Sequence, residues 1–271
     1  MKKKFRIILK CINCVILLIS LTYILYNEYI IFQDKKLISE LQTKKSEEVV
    51  YTIAEELENV VQKSSKESEK VEEKNILPEY EKLYEENSDL YGWIKIEDTI
   101  IDYPVMHTPK LEDTNFYINK NWKKEESKLG SIYIDGRCKD DSENLIIYGH
   151  NMKDKSMFGS LTKYKEKEYY EQHKYIEFNT LYQKATYEVI AVSKAVVYYN
   201  QDVPQNEYLF YEHIELNSKE KFDDYMCYMK ENSYYDIENN AKYGDKLINL
   251  CTCDYWTENA RLLVVAKKIS R

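Results

Sequence analysis

From residue 91 onward the apolar pattern changes from helical to alternating, and that change limits the fold more than any other feature of the chain. The strings "YGWIKIEDTIIDYPVM", "GSIYIDG", "NLIIYGH", "KYIEFNT", "ATYEVIAVSKAVV", "KLINLCTC" and "RLLVVAKKI" are rich in Val, Ile and Tyr. Such side chains suit a pleated, half-buried surface. Two helical stretches interrupt them, "LTKYKEKEYYEQH" and "SKEKFDDYMCYMKENSYY". A further helix starts near Pro78, a residue suited to a first helical turn, and runs through "PEYEKLYEENSDL". Seven or eight short strands with few helices predict a mostly β fold, an antiparallel or mixed barrel with inserted helices.

The N-terminus obeys a different rule. Lys2, Lys3, Lys4, Arg6 and Lys10 precede a run, residues 11–26, that holds no charge. With residues 5–9 it approaches the roughly 20 apolar residues that a helix needs to cross a bilayer. The basic flank keeps the N-terminus cytoplasmic and places the C-terminal bulk outside. A cleaved leader would need small residues at its end, whereas this run ends in "LTYILYNEY". The expected organisation is a basic cytoplasmic segment over 1–10, a single-pass signal-anchor over 11–32, a charged stalk over 33–75 and an exported domain over 76–271. Within the stalk, Val50, Ile53, Leu57 and Val60 recur at helical spacing, and the later "QKSSKESEKVEEKN" reads as a solvated spacer. The stalk is expected to be helical or partly disordered and to lift the domain off the membrane.

The net charge of −8 excludes the basic surface that non-specific nucleic-acid binding requires. With six glycines in the chain and none clustered, no nucleotide-binding loop is present. Cys11 and Cys14 lie in the apolar run as small apolar residues, and Cys138, Cys227, Cys251 and Cys253 are too scattered for a disulfide framework. The pair Cys251-x-Cys253 is too tight for a tetrahedral zinc site, and His107, His150, His173 and His213 include no i,i+4 pair. No metal site is expected. On a strand the two thiols would share one face at about 6.5–7 Å, at the limit of what a disulfide spans. Two inert core thiols remain an open reading, because cysteine is among the most buried residues.

A combination of strand ends shifts the balance. "NLIIYGHNM" ends a strand at Gly149-His150-Asn151, "NLCTC" ends one at Cys253, and Arg261 opens the last strand after the short loop "DYWTENA". Three strand ends of one sheet can thus present a thiol, a guanidinium and an imidazole together. A cysteine near positive charge is a usable nucleophile, and a permanently charged arginine can hold a developing oxyanion.

These residues resemble the sortases, membrane-anchored cysteine transpeptidases of Gram-positive bacteria, and specifically class B. The family signature Thr-Leu-x-Thr-Cys reads here Asn249-Leu250-Cys251-Thr252-Cys253, with asparagine for the first threonine and an extra cysteine at the variable position. "DLYGWIKIEDTIIDYPVM", "FYINKNW", "GSIYIDGRC", "IIYGHNMKDKSMFGSLTKY" and the late insertion helix are also similar to class B segments. The resemblance implies a closed sortase-type barrel with an N-terminal helical extension. It implies Cys253 as nucleophile, His150 as proton donor and acceptor, and Arg261 as the group that positions the substrate and its oxyanion.

The implied reaction cleaves an LPxTG-like sorting motif through a thioacyl enzyme, then transfers the new C-terminus to an amine of peptidoglycan or its lipid-linked precursor. The implied partners are therefore secreted proteins with a C-terminal sorting signal, and no cofactor is needed. Ile118, Thr252 and Tyr255 are candidate substrate-binding residues, with residues 193–199 and Trp256 as candidate groove walls. Trp93 and Trp122 are expected in the core or the groove, and His107, His173 and His213 at the solvated surface. Two other classes stay open: a surface thiol oxidoreductase using Cys251 and Cys253, and a non-catalytic membrane-anchored scaffold.

Overall fold

The computed structural model describes residues 2–62, 75–199, 203–205 and 207–270. Helix α1 is Lys2–Gln62 and α2 is Pro78–Glu86. Eight strands follow: β1 Leu90–Lys95, β2 Asp102–Met106, β3 Ile132–Ile134, β4 Asn144–Tyr148, β5 Tyr175–Thr180, β6 Thr186–Val196, β7 Leu247–Cys253 and β8 Ala260–Ser270. Helix α3, Lys167–Gln172, precedes β5, and α4, Lys219–Glu231, lies between β6 and β7. The string "YGWIKIEDTIIDYPVM" contributes two strands, which makes the count eight.

The strands close into a barrel in the order β1-β2-β3-β4-β7-β8-β6-β5, with β5 pairing back to β1. The β2–β3 and β4–β7 pairs are parallel and the others antiparallel, so the barrel is mixed. A parallel neighbour needs a long crossover. That between β4 and β7 holds α3, β5, β6 and α4, and it brings the ends of "NLIIY" and "LINLCTC" side by side.

Strand β7 is buried on both faces as far as Thr252, which is why it reads as a near-continuous apolar run. Strand β5 alternates instead, with Tyr175 and Glu177 outward and Ile176 and Phe178 inward. Helix α4 is capped by Ser218, whose hydroxyl accepts from the Lys221 amide. It buries Phe222, Tyr225 and Met229, and the Ser193 hydroxyl of β6 donates to the Met229 carbonyl at 2.6 Å.

Tyrosine serves as a core residue here because its hydroxyls find partners. Tyr117 donates to Asp89 at 2.9 Å, Tyr164 to the His173 carbonyl at 2.7 Å, and Tyr103 accepts from the Met157 amide at 3.1 Å. Trp93 is buried and stacks on Tyr80, and Trp122 is buried in the same cluster.

Helix α1 runs unbroken through position 32, and from Ile31 onward part of it packs on the barrel. Ile31 and Ile38 rest against the main core, and Leu41 is buried beside Trp93 and Trp122. Asp34 is buried, accepting from Asn121 Nδ2 at 2.9 Å and Ser127 Oγ at 2.6 Å. Farther along, Val50 and Ile53 are exposed, while the side chains of Leu57 and Val60 and most of "QKSSKESEKVEEKN" lie outside the described residues.

Of the three non-candidate histidines, His107 departs from the expected solvated surface, while His173 and His213 are partly exposed. His107 is buried, edge-on to Tyr91, and burial lowers its pKa. His173 stacks on Tyr169 and His213 on Tyr208, so neither is a freely solvated side chain.

Candidate active site

The barrel brings His150, Cys253 and Arg261 to one corner. In the β7–β8 ladder Cys253 and Arg261 are direct register partners. In the β4–β7 ladder the last pair is Tyr148 with Cys251, so continuing two steps sets His150 alongside Cys253. Two hydrogen bonds straddle the histidine and hold that continuation. The Gly149 amide donates to the Cys251 carbonyl at 3.2 Å, and Asn151 Nδ2 donates to the Cys253 carbonyl at 2.8 Å.

Gly149 is required by packing. A Cβ there would lie 2.5 Å from Ile132 Cδ1 and 2.7 Å from Phe158 Cγ, well inside contact distance. The missing side chain lets the backbone before His150 sink onto the barrel. The chain then turns back, and the Phe158 amide donates to the His150 carbonyl at 3.0 Å.

The histidine ring is oriented by Ile118, whose carbonyl lies 2.7 Å from His150 Nε2. With a proton assigned to Nε2 as donor, Nδ1 is the second nitrogen, which Ile118 does not engage. Gly130, at φ +59°, packs its Cα under that same carbonyl, since an added Cβ would stand 2.2 Å from Ile118 O.

Arg261 is half-buried. Its Nη1 donates to the Ala260 carbonyl at 2.9 Å and the Asn259 carbonyl at 3.2 Å, while Nη2 donates to the Tyr199 hydroxyl at 2.8 Å. Among the described residues these neutral partners leave the guanidinium charge without a carboxylate beside the thiol. Of residues 193–199, Ser193 is buried under α4, Ala195 is the register partner of Arg261 on β8, and Tyr199 meets the guanidinium with its hydroxyl.

The two thiols share a strand face but not an environment. Cys251 is buried, and burial pushes its thiol up to about 12 despite the pull of Arg261. Cys253, at the strand end, is half-buried. Both are free. Thr252 points to the other face, buried, and its hydroxyl donates to the Gly149 carbonyl at 2.7 Å. Tyr255 and Trp256 are exposed in the β7–β8 loop, with Lys194 5.9 Å over the Trp256 ring.

Two residues that the sequence did not single out complete the corner. Asn151 is the clamp on Cys253 described above. Asp254, the next residue after the thiol, is buried and accepts from Lys165 Nζ at 2.5 Å, the Tyr234 hydroxyl at 3.0 Å and the Tyr255 amide at 2.8 Å. Burial raises its pKa, but those three donors outweigh it and hold the carboxyl below the usual range. The sequence signal was a lone acid directly after an apolar strand. Its partners, Lys165 and Tyr234, are remote in sequence. Asn249 sits three residues from Thr252 along β7, fully buried, and its Nδ2 donates to Tyr225 of α4 at 3.1 Å. Among the described residues no cluster of three or more His, Cys, Asp or Glu could hold a metal ion.

A family model described as the sortase domain matches residues 94–269. Sortase B of Listeria monocytogenes is 31% identical over 189 residues, covering 68% of this chain and 72% of that protein. Sortase B of Staphylococcus aureus is 30% identical over 200 residues, covering 73% of this chain and 77% of the relative. Among solved structures, sortase B from Bacillus anthracis in complex with AAEK2 superposes with a TM-score of 0.68 at 27% identity, over 89% of this chain and 97% of that one. The Staphylococcus aureus sortase B–substrate complex does so with a TM-score of 0.65 at 26% identity, over 88% and 97%. The chain belongs to the sortase family, and within it to class B: it is a cysteine transpeptidase.

Proposed function

We propose that Cys253, His150 and Arg261 carry out the transpeptidation. The register that pairs Cys253 with Arg261 and continues β4 to His150 is the observation on which this reading rests. The Cys253 thiolate attacks the carbonyl carbon of the threonine in an LPxTG-like sorting peptide. Arg261 donates to the resulting oxyanion. The tetrahedral intermediate collapses, the Thr–Gly C–N bond breaks, and the leaving amine takes a proton from the His150 imidazolium. A thioester remains on Cys253. The amine of peptidoglycan or of its lipid-linked precursor then attacks it, surrendering a proton to His150, and formation of the new amide bond releases the Cys253 thiolate, restoring the starting thiolate–imidazolium pair.

Ile118 and Tyr255 are proposed to contact the sorting peptide, Ile118 while also fixing the ring of His150. Thr252, assigned on sequence to the substrate, has its hydroxyl committed to Gly149, so its share in recognition is through holding the two strand ends together. The redox reading draws no support from a buried thiol raised to about 12, because attack on a disulfide needs the thiolate.

Among the described residues one helix is long and apolar enough to cross a membrane, its apolar stretch lying within Ile8–Ile53. We propose that it anchors the protein by a single pass, N-terminus in the cytoplasm and barrel outside, where secreted clients and wall precursors meet it. The test is a mass spectrum of the full chain after exposure to a panel of sorting peptides. A thioacyl adduct mapped to Cys253 is expected. An adduct on any other residue, or none across the panel, overturns the assignment.

A further inference from the structure

The loop between Tyr117 and β3 is built against the point where α1 emerges from its apolar stretch. Asp34 grips both shoulders of this loop, Asn121 and Ser127. The Asn121 side-chain oxygen accepts from the Lys123 and Glu125 amides, and Ser127 Oγ accepts from the Leu129 and Gly130 amides. The loop is therefore a rigid feature tied to the helix.

Its charges are sorted. Glu126 is paired with Lys120, Lys124 with Asp89, and Glu125 accepts from Asn121 Nδ2 at 3.3 Å. Lys123 and Lys128 remain as exposed cations. Lys128 Nζ lies 5.6 Å from the centroid of the Tyr23 ring. Tyr23 stands near the end of the uncharged run, followed by Tyr26, Glu28 and Tyr29. Tyrosines concentrate where a span meets the headgroups. At about 1.5 Å per residue, Asp34 is only about 16 Å farther along the helix than Tyr23.

We infer that residues 120–128 form a contact for anionic phospholipid headgroups, with Lys123 and Lys128 as the binding cations. It rests on the reading of α1 as the membrane span. The contact seats the barrel against the leaflet, so the active site works at a fixed, short height and not at the end of a loose tether. A lysine held near an anionic surface gains about 1 kcal/mol, an attraction that salt screens.

Lysine footprinting tests this. The full chain is placed in nanodiscs of pure phosphatidylcholine or of phosphatidylcholine with phosphatidylglycerol. An amine-acetylating reagent is added, and each lysine is followed by mass spectrometry. Acetylation of Lys123 and Lys128 should slow by about fivefold in the anionic discs and recover in high salt, while Lys219 on α4 reacts equally in both. Equal rates at Lys123 and Lys128 in the two lipids, or slowing shared by Lys219, overturns the headgroup contact while leaving the anchor intact. A chain that fails to co-migrate with the discs overturns the anchor and this inference with it.

Discussion

The clasp at Asp34 and the corner at Cys253 are both places where polar side chains meet the barrel, yet they are finished in opposite ways. At the clasp both carboxylate oxygens are bonded, and the Asn121 and Ser127 acceptors are each used twice by backbone amides. At the corner Cys253 is half-buried with its carbonyl clamped by Asn151, and Arg261 is held by two carbonyls and a hydroxyl, with no carboxylate against it among the described residues. A polar group whose hydrogen-bonding capacity is used within the fold holds architecture together. One set at a strand end with capacity to spare is positioned for a ligand.

The sharpest way to break that contrast is Cys253→Ala. Turnover and peptide adduct should both fall to background, on the order of a 10⁴-fold loss or more, with the melting temperature almost unchanged. A large melting shift would mean that the corner is structural after all. Next in size are Arg261→Lys and His150→Ala, each expected to lower kcat/KM by about 10²–10³-fold. Lysine keeps the charge but loses the planar fork that now spans Tyr199, Ala260 and Asn259. The wild-type rate should be bell-shaped in pH, each limb reporting one essential group, and the His150→Ala profile should lose one limb. A variant that retained both limbs would remove His150 from the proton transfer.

The clasp should answer the other way. Asp34→Ala leaves Asn121 and Ser127 without their buried acceptor and should destabilise the docked helix by about 2–3 kcal/mol. Cleavage of a soluble sorting peptide should change by less than about threefold, because Asp34 touches none of Cys253, His150 and Arg261 and reaches the His150 ring only at second hand, through Ser127, Gly130 and the Ile118 carbonyl. Thermal denaturation with a parallel peptide assay reads both. Loss of activity matching that of His150→Ala would place the clasp in the catalytic machinery.

The corner was readable in sequence and the clasp was not, for a physical reason. Gly149-His150 and Cys253 end apolar strand runs, and Arg261 opens one across a short loop, so each announces itself locally. Asp34 sits among Lys35, Lys36 and Glu40 in a stretch that reads as solvated, and its partners lie far along the chain at Asn121 and Ser127. Leu37, Ile38 and Leu41 have the helical spacing of a docked face, but Val50 and Ile53 farther along share that spacing and are exposed, so spacing alone does not tell a docked stripe from a solvated one. His107 was similarly opaque. "VMHTP" looks like a loop, but its amide extends the sheet to the Asp89 carbonyl at 2.8 Å and Tyr91 covers the ring.

The smallest expected effect lies nearest the chemistry. Cys251 is two residues from Cys253, the proposed nucleophile, on the same strand face and within the field of the same arginine. Burial nonetheless keeps its proton on up to about 12, so at neutral pH it is a small apolar side chain. Cys251→Ala removes one sulfur from a packed layer and should cost about 1 kcal/mol of stability, with kcat/KM within about twofold of wild type. The pH dependence of alkylation separates the two thiols. Cys251 should resist iodoacetamide at pH 8 and react only as the pH approaches 12, while Cys253 is modified first and activity disappears with it. Intact-mass and peptide mapping over a pH series gives both rates. A Cys251 that labels alongside Cys253 at pH 8, or a Cys251→Ala enzyme as inactive as Cys253→Ala, would end the distinction between a chemical thiol and a packing one on this strand.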